Sequence, residues 1–275
     1  MVLKQSPKQL VEYVSFSGIK DWQFCPHYYK LTRIDKVYKF QGNIHTAFGT
    51  AVHTVLEHMV LERKNKQLSH LVEASKRRFL KEFKKELASL PKDVEVKEKD
   101  VLAMEKQAMP LIAGALPALD EYFGPDYELL SSEEQINIEI EEYKLADYDF
   151  RGIVDLAIKS SDGKVHIIDW KTCSWGWNFK KKTDPMTTYQ LTYYKHFFAK
   201  KHKIELKNIE TYFILLKRTA KKDNIEIVRV TSGDKKRTNA LTLLEHAVHN
   251  IDHANFVKNK TSCKTCAVWK TLCEG

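Results

Sequence analysis

Apolar residues in the first half of the chain recur every three or four positions, the period of an amphipathic helix. In the clearest run, residues 48–64, five apolar residues between Val52 and Val60 fall on one face. We predict helices over residues 16–33, 48–64, 69–89 and about 100–122. The first of these is interrupted at Cys25-Pro26, because the residue before a proline disfavours helical geometry. Residues 1–125 are therefore expected to be mainly helical.

After residue 130 the pattern becomes that of strands. Ile136, Ile138 and Ile140 alternate with polar residues, the period of a strand with one buried face. We predict strands over residues 134–142, 150–159, 165–172, 209–217 and 225–231, and helices over 187–201 and 233–257. This order predicts an α/β fold with a central mixed sheet flanked by helices. Without a repeat or a linker, residues 1–275 are expected to form one domain, with the sheet core at 130–232 and a helix and cysteine tail at 233–275.

Composition narrows the class of protein. Of 275 residues, 43% are hydrophobic and 29% are charged, which excludes a disordered or fibrous chain. No apolar run approaches the roughly 18 residues of a membrane-spanning helix, so we expect a cytoplasmic protein with no membrane partner. With 45 Lys and Arg against 36 Asp and Glu, the net charge of +9 fits a polyanionic partner, but also a merely soluble surface.

The most informative segment is the pair of predicted strands joined by Ser-Asp-Gly at residues 161–163. The length of the loop decides which side chains face each other. A two-residue loop would place Asp155 opposite Trp170. A three-residue loop, with Gly163 in the left-handed bulge position, would place Asp155 directly opposite Asp169.

Two adjacent carboxylates on a sheet with apolar residues on both faces repel each other and lose hydration. A divalent cation between them relieves both costs. The alternative is a surface hairpin whose acids face water, and the apolar neighbours argue against it. Lys171 shares the face of Asp169 and can balance negative charge that develops at a scissile phosphate. The pattern predicts a metal site with a catalytic lysine.

These residues carry a resemblance to a known family. Asp155, followed on the next strand by Asp169-Trp170-Lys171, resembles the motif of the PD-(D/E)XK nuclease superfamily, although Val154 stands where that name has proline. The resemblance implies a restriction-endonuclease-like core and a nuclease that uses Mg²⁺ or Mn²⁺.

Two further motifs resemble the RecB-like exonuclease group, which includes AddB-like and CRISPR-associated nucleases. The segment Gly49-Thr50-Ala51-Val52-His53 is similar to its GxxxH helix, and Gln190 with Tyr194 is similar to its QxxxY motif. The resemblance implies that His53 joins the two aspartates as a metal ligand, and a nitrogen ligand favours Mn²⁺. Gln190 and Tyr194, one helical turn apart, would position the nucleic-acid backbone or the catalytic lysine.

Related nucleases also carry a glutamate on the strand before the first aspartate. We assign Glu134 to this role as a metal ligand, with Glu139 as the alternative.

The five cysteines divide into four and one. Cys263, Cys266 and Cys273 crowd the end of the chain, and clustered thiols in a reducing compartment indicate a metal or a cluster. Together with Cys25 they resemble the four-cysteine site of the RecB-like group, although the last gap is one residue longer than usual. The resemblance implies a four-iron, four-sulfur cluster, while residue types alone leave tetrahedral zinc open. Cys173 is expected to be an ordinary thiol.

Lysine and arginine runs indicate where a polyanion would bind. Residues 180–182 lie between the predicted metal site and the QxxxY helix, so they are the best candidates for phosphate contact, although most such runs are solvated surface. Trp175 and Trp177 lie nearby and can either stack on unpaired bases or pack internally. The other basic runs are at residues 76–78, 84–85, 217–222 and 235–237.

The leading hypothesis is a metal-dependent deoxyribonuclease, an exonuclease that acts on single-stranded DNA or DNA ends in recombination and repair, CRISPR adaptation or phage DNA processing. The sequence contains no GxxxxGK[ST] motif, so unwinding would need a helicase or another recombination or CRISPR partner protein. The alternatives are a nuclease-derived accessory protein that binds DNA ends with weak or no cleavage, and a structural zinc protein.

Overall fold

The structure, a computed structural model, describes residues 11–141 and 148–273. Its helices are α1 (Phe16–Phe24), α2 (Pro26–Tyr29), α3 (Ile44–Glu62), α4 (Leu68–Ala88), α5 (Glu98–Phe123), α6 (Phe179–Thr183), α7 (Pro185–His202) and α8 (Asp234–Asp252). A π-helical turn covers Lys30–Ile34, and 3₁₀ turns cover Leu206–Asn208 and Lys260–Thr265. The strands are β1 (Tyr13–Ser15), β2 (Glu128–Glu139), β3 (Asp149–Lys159), β4 (Val165–Cys173), β5 (Ile209–Lys217) and β6 (Ile225–Val230).

Strand β3 is the branch point of a single mixed sheet. Antiparallel β2 pairs along one whole edge of β3. The other edge is shared, because parallel β1 pairs with Asp149–Arg151 and antiparallel β4 pairs with Leu156–Lys159. Residues 152–155 of β3 lie between these two pairings, where β1 and β4 diverge. This gap in the sheet is called the fork. Beyond β4 the sheet continues through parallel β5 to antiparallel β6.

Helices cover both faces of the sheet. Helices α3, α4 and α5 pack against one face, which includes Leu156, Ile168 and Ile214. Helices α1, α7 and α8 pack against the other face, which includes Ile167 and Phe213. Because both faces are covered, β4 is buried over its first six residues, and four of these are apolar. The predicted α/β fold with a flanked mixed sheet is confirmed.

The C-terminal tail folds back onto the beginning of the chain. The Asn259 side-chain amide and the Ser262 hydroxyl both donate to the backbone carbonyl of Phe24, at 2.9 and 2.7 Å. The backbone N–H of His27 donates to the carbonyl of Val257 at 3.3 Å. These bonds hold the tail beside α1 and α2.

Two parts of the sheet differ from the sequence-based prediction. β1 has only three residues, too few to show a hydrophobic period, and it was not predicted. β2 begins at Glu128 rather than at residue 134, because a register shift between Leu129 and Ser131 breaks the alternation that would have revealed its first half. Residue 142, the predicted end of that strand, lies outside the described residues.

Among the described residues, no helix has the length and apolar character needed to cross a membrane.

Candidate active site

The fork between β1 and β4 contains the aspartate pair. The β3–β4 hairpin has a three-residue loop with Gly163 in the left-handed region, at φ 83°. The ladder pairs Leu156 with Ile168, so the same register places Asp155 opposite Asp169 at the next step. The strands separate there, and one Asp155 carboxylate oxygen, Oδ2, accepts a 2.8 Å hydrogen bond from the backbone N–H of Trp170. The fork therefore brings both carboxylates to one place.

Asp169 is the most enclosed of the predicted catalytic residues, with 2% of its side chain exposed. Its Oδ1 atom accepts a 2.7 Å hydrogen bond from Gln190 Nε2 on α7. Its Oδ2 atom lies 2.6 Å from Lys171 Nζ, yet in the described part of the chain no donor reaches it with hydrogen-bond geometry. A buried carboxylate oxygen without a hydrogen bond is costly, so this atom has capacity for a further positive partner.

Gln190 and Tyr194 act as one unit on α7. Gln190 Nε2 also lies 3.2 Å from Tyr194 Oη, so the amide joins the tyrosine to Asp169. The Tyr194 ring packs closely on β3, where a Cβ atom on Gly152 would lie only 2.7 Å from a ring carbon. Glycine at this position therefore lets α7 bring the QxxxY pair to the fork.

His53 reaches the fork from the opposite side of the sheet. Helix α3 lies close to β4 because Gly49 faces it: a Cβ there would lie 3.3 Å from Thr172 Oγ1. Ala51 is also fully buried. As a result His53 Nδ1 lies 3.5 Å from Asp155 Oδ2. The small residues of the GxxxH segment thus have a physical role, which is to admit the imidazole to the carboxylates.

The glutamate at the fork is Glu133 rather than Glu134. Ligand atoms of His53, Glu133 and Asp155 all lie within 4.8 Å of one another, and Glu133 stands opposite Asp155 in the β2–β3 register. Its backbone has the left-handed φ of 50°, uncommon for a residue with a branched or long side chain and typical of functional sites that store strain.

The predicted ligand Glu134 has other partners. Its carboxylate lies 2.6 Å from both Lys201 Nζ and His202 Nε2 on α7, and it accepts a 2.5 Å hydrogen bond from Ser131. The alternative, Glu139, pairs with Asp149 at the far end of β2. Neither is brought to the aspartate pair, because Glu134 faces α7 on the side of Ile136 and Ile138, and Glu139 lies at the other end of the strand.

The site is electrostatically strained without a cation. Burial raises the pKa of Asp155 well above its usual range, and the neighbouring Asp169 carboxylate raises it further. Burial, Glu57 and Asp169 likewise raise the pKa of Glu133. Burial lowers the pKa of His53 to about 4, so its imidazole is neutral at pH 7 and able to donate a lone pair. Repelling acids beside a neutral imidazole are the conditions that favour a bound metal ion.

The donor set fits a small divalent cation. Carboxylate oxygens are the ligands that Mg²⁺ and Mn²⁺ prefer, and an imidazole nitrogen favours Mn²⁺ of the two. His53, Glu133 and Asp155 form the group within 4.8 Å, and Asp169, whose Oδ2 is ion-paired with Lys171, lies on the neighbouring strand. These four residues are the ones that could hold the ion.

The segment that follows β4 carries exposed aromatic and basic side chains. Trp175 follows the end of β4 and is 78% exposed, and Phe179 at the start of α6 is 81% exposed. Lys180 and Lys181 are exposed, whereas Lys182 forms an ion pair with Glu226. The two tryptophans therefore differ, since Trp177 packs on Phe213 with ring centroids 5.0 Å apart.

The four predicted cofactor cysteines surround one cavity between the tail and the α1–α2 turn. Cys25, Cys263, Cys266 and Cys273 all line it. Cys25 and Cys273 are buried, and Asn259 donates its backbone N–H to Cys25 Sγ at 3.3 Å. Cys173 lies on β4 outside this group, and burial raises the pKa of its thiol, as expected of an unreactive cysteine.

Comparison with known proteins identifies the family. The model of the PD-(D/E)XK nuclease superfamily matches residues 13–274. The mixed sheet and its flanking helices are consistent with the restriction-endonuclease-like fold.

Solved structures share the fold. The crystal structure of a candidate exonuclease from Eubacterium rectale has a TM-score of 0.60 and 18% identity, and the match covers 96% of this chain and 89% of that one. The crystal structure of SSO0001 has a TM-score of 0.37 and 20% identity, covering 86% of this chain and 98% of that one, too low a score to carry an argument. No curated protein matches this sequence.

Proposed function

Because this chain belongs to the PD-(D/E)XK nuclease superfamily, we propose that it is a divalent-metal-dependent deoxyribonuclease that acts as an exonuclease on single-stranded DNA or DNA ends. One observation carries the proposal: His53, Glu133 and Asp155 place ligand atoms within 4.8 Å of one another beside the Asp169–Lys171 pair. A site built only to bind DNA has no need for buried acids that repel the phosphates.

Each residue at the fork has a distinct task. His53, Glu133, Asp155 and Asp169 would hold Mg²⁺ or Mn²⁺, and the ion would supply positive charge at the scissile phosphate and acidify a water ligand. Lys171, with its ammonium beside Asp169, would orient the attacking water or balance charge that develops on the phosphate.

The QxxxY pair positions the others. Gln190 fixes the rotamer of Asp169 through its amide, and Tyr194 holds that amide in turn. Burial raises the pKa of Tyr194, so its hydroxyl stays protonated and acts as a neutral hydrogen-bonding group.

The DNA strand would approach over α6. Exposed Lys180 and Lys181 can contact phosphates, and Lys181 lies 4.7 Å from the centre of the Trp177 ring, which orients it. Trp175 and Phe179 offer exposed ring faces to unpaired bases. This surface supports a preference for single strands, and the unwinding of double-stranded ends would need a helicase or another partner in recombination, repair, CRISPR adaptation or phage DNA processing.

The cysteine cavity would hold a four-iron, four-sulfur cluster that ties the two ends of the chain together. All four cysteines line this one cavity, so four thiolates are available to a single site. The resemblance to the four-cysteine site of the RecB-like group favours a cluster over a single zinc ion.

Adjacent glutamates provide a matched test of the metal site. Glu133→Gln is expected to lower Mn²⁺-dependent cleavage of an end-labelled single strand by about 100-fold or more, because it removes a charged metal ligand. Glu134→Gln makes the same change one residue along, and it should cleave near the wild-type rate because Glu134 bonds α7 instead.

The affinity of both variants for Mn²⁺ is measured by titration in the same experiment. Weakened binding in Glu133→Gln alone is the expected result. Equal cleavage by the two variants, or a loss confined to Glu134→Gln, would show that Glu133 is not the ligand.

A further inference from the structure

A second pocket opens directly beside the catalytic residues. It has a volume of about 680 Å³, within the range of roughly 300–1,000 Å³ that is usual for small-molecule sites. Gln190 and Tyr194 form one wall, so the pocket and the aspartate pair are separated by a single layer of side chains. β1, the start of α1, Arg33, residues 135–137 of β2 and the first half of β3 supply the remaining walls.

The pocket has the opposite charge to the site beside it. Its lining among the described residues contains two arginines, Arg33 and Arg151, and no aspartate or glutamate. Arg33 is engaged by Asp21 through two hydrogen bonds of 2.8 and 2.6 Å. Arg151 is fixed differently, because its Nε donates to the Asn137 side chain at 2.6 Å, and within residues 11–141 and 148–273 the two terminal amino groups of its guanidinium make no hydrogen bond. The planar pair of amino groups on a guanidinium is well suited to binding a phosphate group.

Aromatic surface completes the pocket. The Arg151 guanidinium lies 4.2 Å from the centre of the Tyr13 ring, which holds it in place while 43% of Tyr13 remains exposed. Phe16 and Ile153 add apolar lining, and Ile153 is 46% exposed although the next residue, Val154, is fully buried. An exposed apolar side chain at the mouth of a site is a contact for a flat ligand such as a nucleobase.

We propose that this pocket binds the terminal nucleotide of the DNA strand, with its phosphate on Arg151 and its sugar and base against Tyr13, Phe16 and Ile153. The proposal rests on the proposed nuclease function and deepens it, because a pocket for one nucleotide beside the carboxylates sets where cleavage occurs. A strand end fills the pocket and presents the next phosphate to the fork. A strand without an end cannot enter in this way.

Binding of deoxyadenosine 5′-monophosphate to the full-length protein in EDTA tests the pocket apart from catalysis. Arg151→Ala is expected to weaken binding about tenfold or more, the usual effect of losing hydrogen bonds to a charged group. Arg151→Gln retains a polar side chain beside Asn137 but loses the positive charge. It should weaken nucleotide binding as much as Arg151→Ala, because the charge of the guanidinium binds the phosphate. Lys159→Ala is the matched control, since it removes one positive charge from the far end of the same strand and should bind like wild type.

Cleavage of linear and circular single strands gives the second readout. Wild type and Lys159→Ala should degrade linear strands much faster than circular ones, and Arg151→Ala should lose most of that preference. The pocket assignment fails if the nucleotide does not bind, if both Arg151 variants bind it like wild type, or if circles and linear strands are cut equally. Arg151-dependent nucleotide binding in a protein that cleaves no DNA under any metal would instead contradict the proposed function and retain the pocket.

Discussion

Asp155→Asn is expected to abolish DNA cleavage while making the metal-free protein more stable. The cleavage rate should fall by about 10³-fold or more, because the substitution removes a charged ligand from the proposed metal site. Stability should rise because Asp155 is buried beside Asp169 without a cation to separate them, and asparagine removes the repulsion. Its side-chain carbonyl can still accept the hydrogen bond from the Trp170 backbone.

The sign of the pH dependence follows from the raised pKa of Asp155. A carboxyl whose pKa is higher in the folded than in the unfolded state lowers stability in full above its folded pKa, and this cost shrinks as the pH falls from that value towards the unfolded pKa. The advantage of Asp155→Asn should therefore be largest at pH 8 and shrink in mildly acidic buffer. Thermal unfolding in EDTA measures it, and a rise in Tm of about 2–4 °C would correspond to about 1 kcal/mol.

Asp162→Asn is the control for this experiment. Asp162 lies in the exposed loop of the same hairpin, where hydrogen bonding to Ser160 lowers its pKa. Its substitution should neither reduce cleavage nor stabilise the protein. Wild-type cleavage by Asp155→Asn, or a lower Tm than wild type in EDTA at pH 8, would be incompatible with a repelling acidic pair at the fork.

Cys25→Ser is expected to have the largest effect on folding. It removes one of four ligands from the proposed cluster, which connects the α1–α2 turn to the C-terminal tail across nearly the whole chain. The purified variant should lose visible absorption together with bound iron and sulfide, and its Tm should fall by on the order of 10 °C. Serine retains a hydrogen-bond acceptor for the Asn259 backbone N–H, so the loss would be due to the missing ligand.

Cys173→Ser is the matched control, because Cys173 lies outside the cavity. It should retain the absorption and iron content of wild type, with only a small change in Tm. A colourless wild-type protein containing one zinc ion would overturn the iron–sulfur assignment. Equal iron content in Cys25→Ser and wild type would remove Cys25 from the ligand set.

Much of the fold was visible in the sequence because its determinants are local. The three-residue loop and Gly163 fix the hairpin register, and that register predicts that Asp155 and Asp169 face each other. The helical spacing of Gln190 and Tyr194 predicted that they share a face, and their hydrogen bond shows that they do.

The remaining features depend on contacts between distant parts of the chain. The resemblance placed the glutamate at Glu134, whereas the fold brings Glu133 to the fork through a left-handed backbone that strand alternation does not predict. The arginine pocket joins residues from β1, β2, β3 and α7, and no spacing in the sequence brings Tyr13 to Arg151. Sequence patterns thus predicted elements and neighbouring pairs, whereas the complete ligand set required the tertiary structure.

The most direct test of the account is cleavage of an end-labelled single-stranded oligonucleotide by the purified protein in Mn²⁺ and in EDTA, with Asp169→Asn alongside. The account predicts degradation from an end by wild type in Mn²⁺, none in EDTA, and loss of activity by about 10³-fold or more in the variant. Cleavage that persists in EDTA, or an Asp169→Asn protein as active as wild type, would contradict a metal-dependent nuclease site at the fork.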